Sequence, residues 1–396
     1  MGILFAAPHR LPFLTGCMGL AAMALWWPVR LAAIHLGWPE PPAGNLPPAL
    51  LHAPALLLLV YPAFIFGFLL TVFPRWMGQA DLAARRHGPV SAGLAAGMAL
   101  AASGMWSGSD PLVMAGFVAS GLAWALGLAM LAAVLGESRR AGGPACWHAW
   151  SAWAALVVGL AALVLVTAFL AGGDSRLLRW GNTLALGGFV LPVFLTVAHR
   201  MVPFFAGNVV QGYARWRPDW LLAALWGLLV TRVAGELALL PLLAGIADAF
   251  LAGLTALMAW KWWPRGPAPG LLKVLIWGFA WAPAGFALAA LAAAGVPLGL
   301  APVHALALGF AASLLVGMVT RVTQGHSGRP LAMAPLAWLA FAAVQLAAML
   351  RIVAALRHEN GMLLVLAAAL FAAGLLPWLA RSTRIYLRPR IDGRPG

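Results

Sequence analysis

Apolar residues recur in long runs along almost the whole chain, separated by short polar or proline- and glycine-rich stretches. Each run is roughly eighteen residues or longer, which is the length that an α-helix needs to cross a bilayer. The ten-residue alternation of a transmembrane β-strand does not occur. The pattern predicts an all-α polytopic membrane protein with twelve spans, at residues 11–33, 47–73, 90–107, 111–135, 148–171, 181–199, 219–241, 243–260, 271–294, 302–320, 332–350 and 361–380.

The composition supports this fold class. Of 396 residues, 63% are hydrophobic and 9% are charged, and the mean hydropathy is +0.91. A soluble domain carries roughly 25% charged residues, so this chain has too little polar surface to cover a water-facing globule. We expect one integral-membrane domain over residues 1–396, with a basic tail at 381–396.

The net charge of +15 would suit nucleic acid, but the positions of the charges favour a membrane. With twelve spans, 19 of the 25 Lys and Arg residues fall on one side. Lys and Arg mark cytoplasmic loops, so both termini are predicted to be cytoplasmic. The C-terminal tail would lie near anionic lipid, and no nucleic-acid partner is expected.

A weak repeat links the ends of the second, sixth and tenth runs, "FLLTVFPRW", "FLTVAHRMVPFF" and "GMVTRVTQGH". Their arginines, Arg75, Arg200 and Arg321, lie 125 and 121 residues apart. The spacing suggests three pseudo-repeated units of four helices. Alternatively, all three are helix ends that stop at the same interface.

Two histidines open runs that cross the membrane in the same direction. His52 begins the second run and His304 the tenth, so both are predicted at similar depth near the periplasmic face. Two neutral imidazoles on different helices are what a bis-histidine haem requires. The chain has no CxxCH motif, so such a haem would be a non-covalent haem b. The alternative is that each histidine caps its helix or bonds to a neighbouring helix.

Three further histidines, His9, His199 and His326, are predicted near the cytoplasmic face. They form a candidate copper or zinc site, or they are simply polar residues at a basic interface. A continuous helix would separate His304 from His326 by roughly 33 Å. The two faces would therefore carry two separate sites.

Few other charged residues fall inside the runs. Arg232 and Glu236 are four residues apart and share a helix face, which indicates either a polar lock between helices or a transport path. Asp248 is expected at the interface, and His87 in a solvated loop.

The stretch "VHALALGFAASLLVGMVTRVTQGHSGRPL" resembles the NnrS family, bacterial inner-membrane proteins described as binding haem and copper and linked to nitric oxide. The family's hallmark residues match here at His304, Ala305, Leu306, Met318, Thr320, Arg321, Gly325, His326, Ser327, Gly328, Arg329, Pro330 and Leu331. "GFLLTVFPRWMGQ", "HRMVPFFAGN", "APHRLPF" and "LLKVLIWGFAW" also resemble family segments, so the resemblance covers the whole chain.

The resemblance implies an inner-membrane protein of nitric oxide response, tolerance or turnover, with haem, copper and a redox or membrane-protein partner. Arg200, Arg321 and Arg329 would contact haem propionates or a bound anion, or they are simply cations at the membrane interface. Where many relatives carry a second histidine and a glutamate after the counterpart of His52, this chain has Pro54 and Ala55. That departure weakens any copper site near the periplasmic haem.

The twelve spans and threefold plan are also similar to the catalytic subunit of haem-copper oxidases, in architecture only. Whether the protein reduces, binds or only protects against nitric oxide stays open, as does enzymatic activity itself. A transporter using Arg232 and Glu236, or a non-catalytic haem or docking subunit of a redox complex, are the alternatives.

Overall fold

A computed structural model describes residues 2–393 and is helical throughout, without a strand among those residues. Twelve helices are long and apolar enough to cross a membrane, which confirms the predicted number. They are α1 Arg10–Leu36, α2 Pro48–Trp76, α3 Ala84–Ser107, α4 Asp110–Arg140, α5 Trp147–Leu170, α6 Ser175–Val209, α7 Asp219–Leu237, α8 Pro241–Trp262, α9 Gly270–Ala293, α10 Ala301–His326, α11 Pro335–Leu356 and α12 Gly361–Tyr386.

Proline and glycine set several of the helix ends. Pro241 opens α8 and Pro335 opens α11, where the missing N–H of proline costs no helical hydrogen bond. Gly37 and Gly108 end α1 and α3 in the left-handed conformation, with φ of 69° and 72°. The tight "SGSDP" connection between the third and fourth runs is thus a true break between two helices.

Several helices extend beyond the apolar runs that predict them. Helix α4 continues to Arg140 and α12 to Tyr386, because charged residues in a last turn still complete backbone hydrogen bonds. The predicted tail therefore begins as helix, and its residues 394–396 lie outside the described chain. Helix α3 begins at Ala84, so His87 is helical and only 2% exposed, and its prediction as a solvated loop residue was wrong.

Three helices are far more buried than the others. In their most apolar stretches, 89% of the residues of α2, 78% of α6 and 72% of α10 are buried, against at most 50% elsewhere. The same helices contain π-helical segments, at Leu56–Val60, Leu184–Val190 and Ala305–Ala312. These are the helices linked by the weak sequence repeat; the threefold plan itself stays a prediction.

The chain forms two compact units. The first contains residues up to 185 together with 322–330 and the C-terminal residues from 379. In it, α3 and α4 pack closely, because Gly97 and Gly116 let the two backbones approach with no room for a Cβ. The second unit contains Leu186–Arg321 and Leu331–Trp378, where α7, α8 and α9 pack together.

Candidate functional site

The two candidate haem ligands lie beside the π-helical segments. His304 is the residue directly before the segment of α10, and His52 stands four residues before that of α2. A π-helical turn widens the helix and is frequently found at functional sites, because it changes the direction in which side chains point. The helix backbone is therefore irregular next to both histidines, which are themselves polar residues in an apolar sequence.

The ring of His304 is held by its own helix. Its Nδ1 lies 3.0 Å from the carbonyl oxygen of Leu300, one turn earlier. Because a carbonyl oxygen only accepts, Nδ1 carries the proton and donates it, which leaves the lone pair on Nε2. A metal-ligating histidine typically donates its other ring N–H in this way, which fixes the tautomer and the ring orientation.

The ring of His52 is held by stacking. It lies over the indole of Trp27, with ring centroids 4.2 Å apart and planes inclined by 18°. The loop before α2 is held by Arg30, which is 2% exposed and donates to the carbonyls of Pro41, at 2.9 Å, and Pro42. The sequence gives one signal for this role, an arginine inside the first apolar run.

His9 and His326 come together in the first unit. Their ring centroids are 4.3 Å apart and their planes are tilted by 42°. His9 is 2% exposed, and its Nδ1 is buried without a hydrogen-bond partner. Burial, followed by the neighbouring His326 and Arg10, holds the pKa of His9 well below its usual range. The imidazole of His9 is therefore neutral at pH 7, the form that binds a metal.

The residues after α12 pack against the "GHSGRP" motif. Arg390 donates to the carbonyl of His326 at 3.1 Å, and the N–H of Ile391 donates to the carbonyl of Ser327 at 3.2 Å. Gly328 has a φ of 73°, and a Cβ there would come within 2.9 Å of the carboxylate of Asp392. The motif thus fixes the C-terminal residues beside the histidine pair.

The third predicted metal ligand, His199, belongs to the second unit. Its side chain is fully buried, and its ring lies 6.4 Å from that of Trp262. Of the three histidines predicted to form this site, the structure brings together two in the first unit, His9 and His326. Among residues 2–393, no group of three or more His, Cys, Asp or Glu side chains is arranged to hold a metal.

The candidate propionate arginines lie on three different elements. The guanidinium of Arg321 stacks on Phe205, 3.6 Å from the ring centroid, Arg200 is half-buried on α6, and Arg329 follows α10. Helix α10 is continuous, so Arg321 lies roughly 25 Å along it from His304. A propionate of a haem ligated by His304 is therefore out of its reach, and a separate anion remains the alternative for Arg321.

A buried ion network joins α7 and α8. Arg232 Nε lies 2.8 Å from Asp248 Oδ1, and its Nη2 lies 2.7 Å from Glu236 Oε1. Asp248 is only 3% exposed, so it is buried in the protein, and its place at the membrane interface stays a prediction. A carboxylate this deep in an apolar bundle is accommodated because the guanidinium of Arg232 pairs with it.

The comparison with known families decides what the chain is. Residues 3–390 match the family described as NnrS protein. The chain belongs to the NnrS family. No curated protein sequence matches it significantly. The family match of this NnrS protein runs from the short 3₁₀ turn before α1 to Arg390, so it includes both pairs of histidines and the tail residue that binds His326.

The two histidine environments of this NnrS protein suit different groups. His304 offers an unprotonated Nε2, which would suit haem iron. His9 and His326 offer two neighbouring imidazoles, which fall short of the four ligands that structural zinc takes. Imidazole is a ligand for copper and for iron as well as for zinc, so the donor chemistry is compatible with both groups that the resemblance implies.

Proposed function

We propose that this NnrS-family protein is a haem b protein of the bacterial inner membrane that acts in the nitric oxide response. His304 would hold the iron, and His52 stays the second ligand that the sequence predicts. The observation that carries the proposal is the hydrogen bond from His304 Nδ1 to the Leu300 carbonyl, which leaves Nε2 ready to bind iron. The family match supports the link to the nitric oxide response.

When bound, haem supplies an iron that accepts and donates one electron and, with an open position, binds a diatomic ligand. The residues of this chain set which of these occurs. With both histidines bound, the iron would carry electrons or sense redox state. The stacking of His52 on Trp27 and the hydrogen bond from His304 to Leu300 would hold the two rings in place for the iron.

We further propose that His9 and His326 hold a copper ion as a second, separate site. The support is their 4.3 Å ring separation and the unpartnered Nδ1 of His9. Pro54 and Ala55 stand where relatives carry further donors, so copper is not expected beside His52. A redox partner would deliver electrons, and both termini are proposed to face the cytoplasm.

The test is the absorption spectrum and the iron and copper content of the detergent-purified protein, oxidised, then reduced, with nitric oxide added last. A Soret band that shifts on reduction, with near-equimolar iron, is the expected result. A shift on adding nitric oxide would assign gas binding, and no shift would assign a six-coordinate electron carrier. A colourless, iron-free protein overturns the proposal.

The buried ion network favours a second candidate, a transporter. Arg232, Asp248 and Glu236 together carry a net negative charge inside the bundle, and the side chain of Glu236 is 32% exposed. Such a group would take up a proton during transport. Proteoliposomes given a pH step would show a current that Glu236→Gln abolishes; absence of current in the wild type excludes this candidate.

A further inference from the structure

An arginine of α11 lies beside the first turn of α10. Arg351 is a positive charge in the neighbourhood of the His304 imidazole. The two helices pack here through Ala301 and Ala355, which share one small core with Leu298 and the partly buried Ile352. Arg351 and Ala355 are one turn apart on α11, so the guanidinium belongs to the helix face that packs on the histidine's turn.

The hydrogen bonds of Arg351 are incomplete. Its Nη1 lies 2.8 Å from Oε2 of Glu359, yet this buried nitrogen has no partner with hydrogen-bond geometry. Oε1 of Glu359 is also buried without a partner, and a Cβ at Gly299 would lie 3.4 Å from it. A paired guanidinium and carboxylate normally form two parallel hydrogen bonds. Both members of this pair are therefore less satisfied than their chemistry allows.

The backbone that carries Glu359 is strained. His358 and Glu359 both have positive φ, 55° and 57°, although neither is glycine. Consecutive residues in this conformation persist only where the surrounding structure holds them, and such strain is concentrated at ligand sites and switches. This strained turn places the carboxylate of Glu359 against the guanidinium of Arg351.

We propose that Arg351 binds a propionate carboxylate of the haem ligated by His304, and that Glu359 competes with that propionate for the guanidinium. The inference rests on the proposed haem function. The planar guanidinium matches a carboxylate in shape and charge. Arg351 also lies at the same end of the bundle as His304, whereas Arg321 is roughly 25 Å away along α10. For a propionate of a haem held by His304, Arg351 thus replaces Arg321, while the predicted contacts of Arg200 and Arg329 stay predictions.

The first experiment measures haem retention. Purified holoprotein of the wild type, Arg351→Gln and Glu359→Gln is mixed with excess apomyoglobin, and the rate of haem transfer is followed. Losing one charge-assisted hydrogen bond should speed transfer from Arg351→Gln roughly tenfold or more. Glu359→Gln should slow transfer, because the competing carboxylate is gone. Arg357→Gln, an exposed arginine of the same turn, is the matched control and should behave as wild type.

The second experiment changes the ligand and keeps the protein. Apoprotein is reconstituted with haem dimethyl ester, whose propionates cannot accept a guanidinium as carboxylates do. The ester should leave the wild type about as fast as haem leaves Arg351→Gln, and Arg351→Gln should add no further loss. If Arg351→Gln does not fold, Arg351→Lys replaces it, with Arg357→Lys as the control. Lysine keeps the positive charge but cannot bind a carboxylate through two nitrogens, so the rate of haem transfer should be intermediate.

These experiments distinguish a failure of the proposed role of Arg351 from a failure of the proposed haem function. Equal haem loss from the wild type and Arg351→Gln overturns the role of Arg351 while leaving the haem function standing. Faster loss from Glu359→Gln, matching that from Arg351→Gln, shows a structural clamp and also overturns it. If Arg351→Gln speeds the loss of haem and the loss of its dimethyl ester equally, the role of Arg351 is also overturned. A wild-type protein that takes up no haem overturns both the inference and the proposed function.

Discussion

At the scale of single residues, the histidines of this chain differ in how each ring is held. His304 donates from Nδ1 to a carbonyl of its own helix, His52 stacks on Trp27, and His9 is buried against His326. The rings of His304 and His52 are both restrained, and the hydrogen bond of His304 leaves its Nε2 to bind iron, as a haem ligand needs. His9 is kept neutral by burial, as a copper ligand needs.

The lowered pKa of His9 predicts a loss of stability in mild acid. The ordinary value is 6.5, and the folded protein holds it well below that. Above pH 6.5 the ring is neutral in both states, so it has no effect. Below 6.5 the unfolded chain takes up a proton that the folded protein does not, and stability falls by roughly 1.4 kcal/mol per pH unit until the folded value is reached.

Thermal unfolding of the metal-free protein between pH 7 and 5 measures this loss. His9→Gln should flatten the dependence on pH, whereas replacing the exposed His358 by Gln should not. Identical slopes for wild type and His9→Gln would contradict the assignment.

At the scale of helices, apolar run length predicted the twelve spans, because a bilayer demands about twenty apolar residues whatever the neighbours are. It did not predict partners. Asp248 meets Arg232 of another helix, and His9 meets His326 from the far end of the chain. Such contacts depend on how helices rotate and pack. Hydropathy along one segment does not contain that information, so the partner of Asp248 was not predicted and His87 was misplaced.

Arg232→Gln tests the ion network between α7 and α8. The change leaves Asp248 buried without its cation, which should cost about 3–5 kcal/mol of stability. Adding Asp248→Asn in the same chain should restore part of the loss, because the unpaired charge is removed. Unfolding in detergent gives the values. A loss no larger than that of the exposed control Arg357→Gln would show that the network is not a lock.

Gly328→Val tests the packing of the C-terminal residues on the "GHSGRP" motif. Gly328 and Gly142 both have positive φ, 73° and 66°, but a Cβ meets Asp392 only at Gly328 and meets nothing within 4 Å at Gly142. Gly328→Val should therefore expose Arg388 and Arg390 to trypsin, while Gly142→Val carries the same backbone strain without that effect. Equal cleavage of the two variants would contradict the contact.

At the scale of the whole molecule, twelve spans among the described residues would put both termini on one side of the membrane, and the clustering of Lys and Arg predicts that this side is the cytoplasm. The proposed haem ligands open α2 and α10, at the other side. Haem and copper would then bind at opposite faces of the membrane, because His304 and His326 lie at opposite ends of α10.

Cysteine labelling in intact cells tests this orientation. Cys17 and Cys146 are buried, so background labelling should be low. A membrane-impermeant maleimide should label Asp174→Cys, before α6, and leave Ala141→Cys, after α4, unlabelled until the membrane is opened. The reverse pattern would invert the topology and place His304 on the cytoplasmic side.

The most direct test of the central claim is the reduced-minus-oxidised spectrum of the wild type beside those of His304→Ala and His326→Ala. His304→Ala should lose the haem or change its spin state, because an axial ligand is removed. His326→Ala should keep the wild-type haem spectrum, because α10 places it roughly 33 Å away. If His326→Ala abolished the haem and His304→Ala left it unchanged, the assignment of His304 as the haem ligand would be wrong.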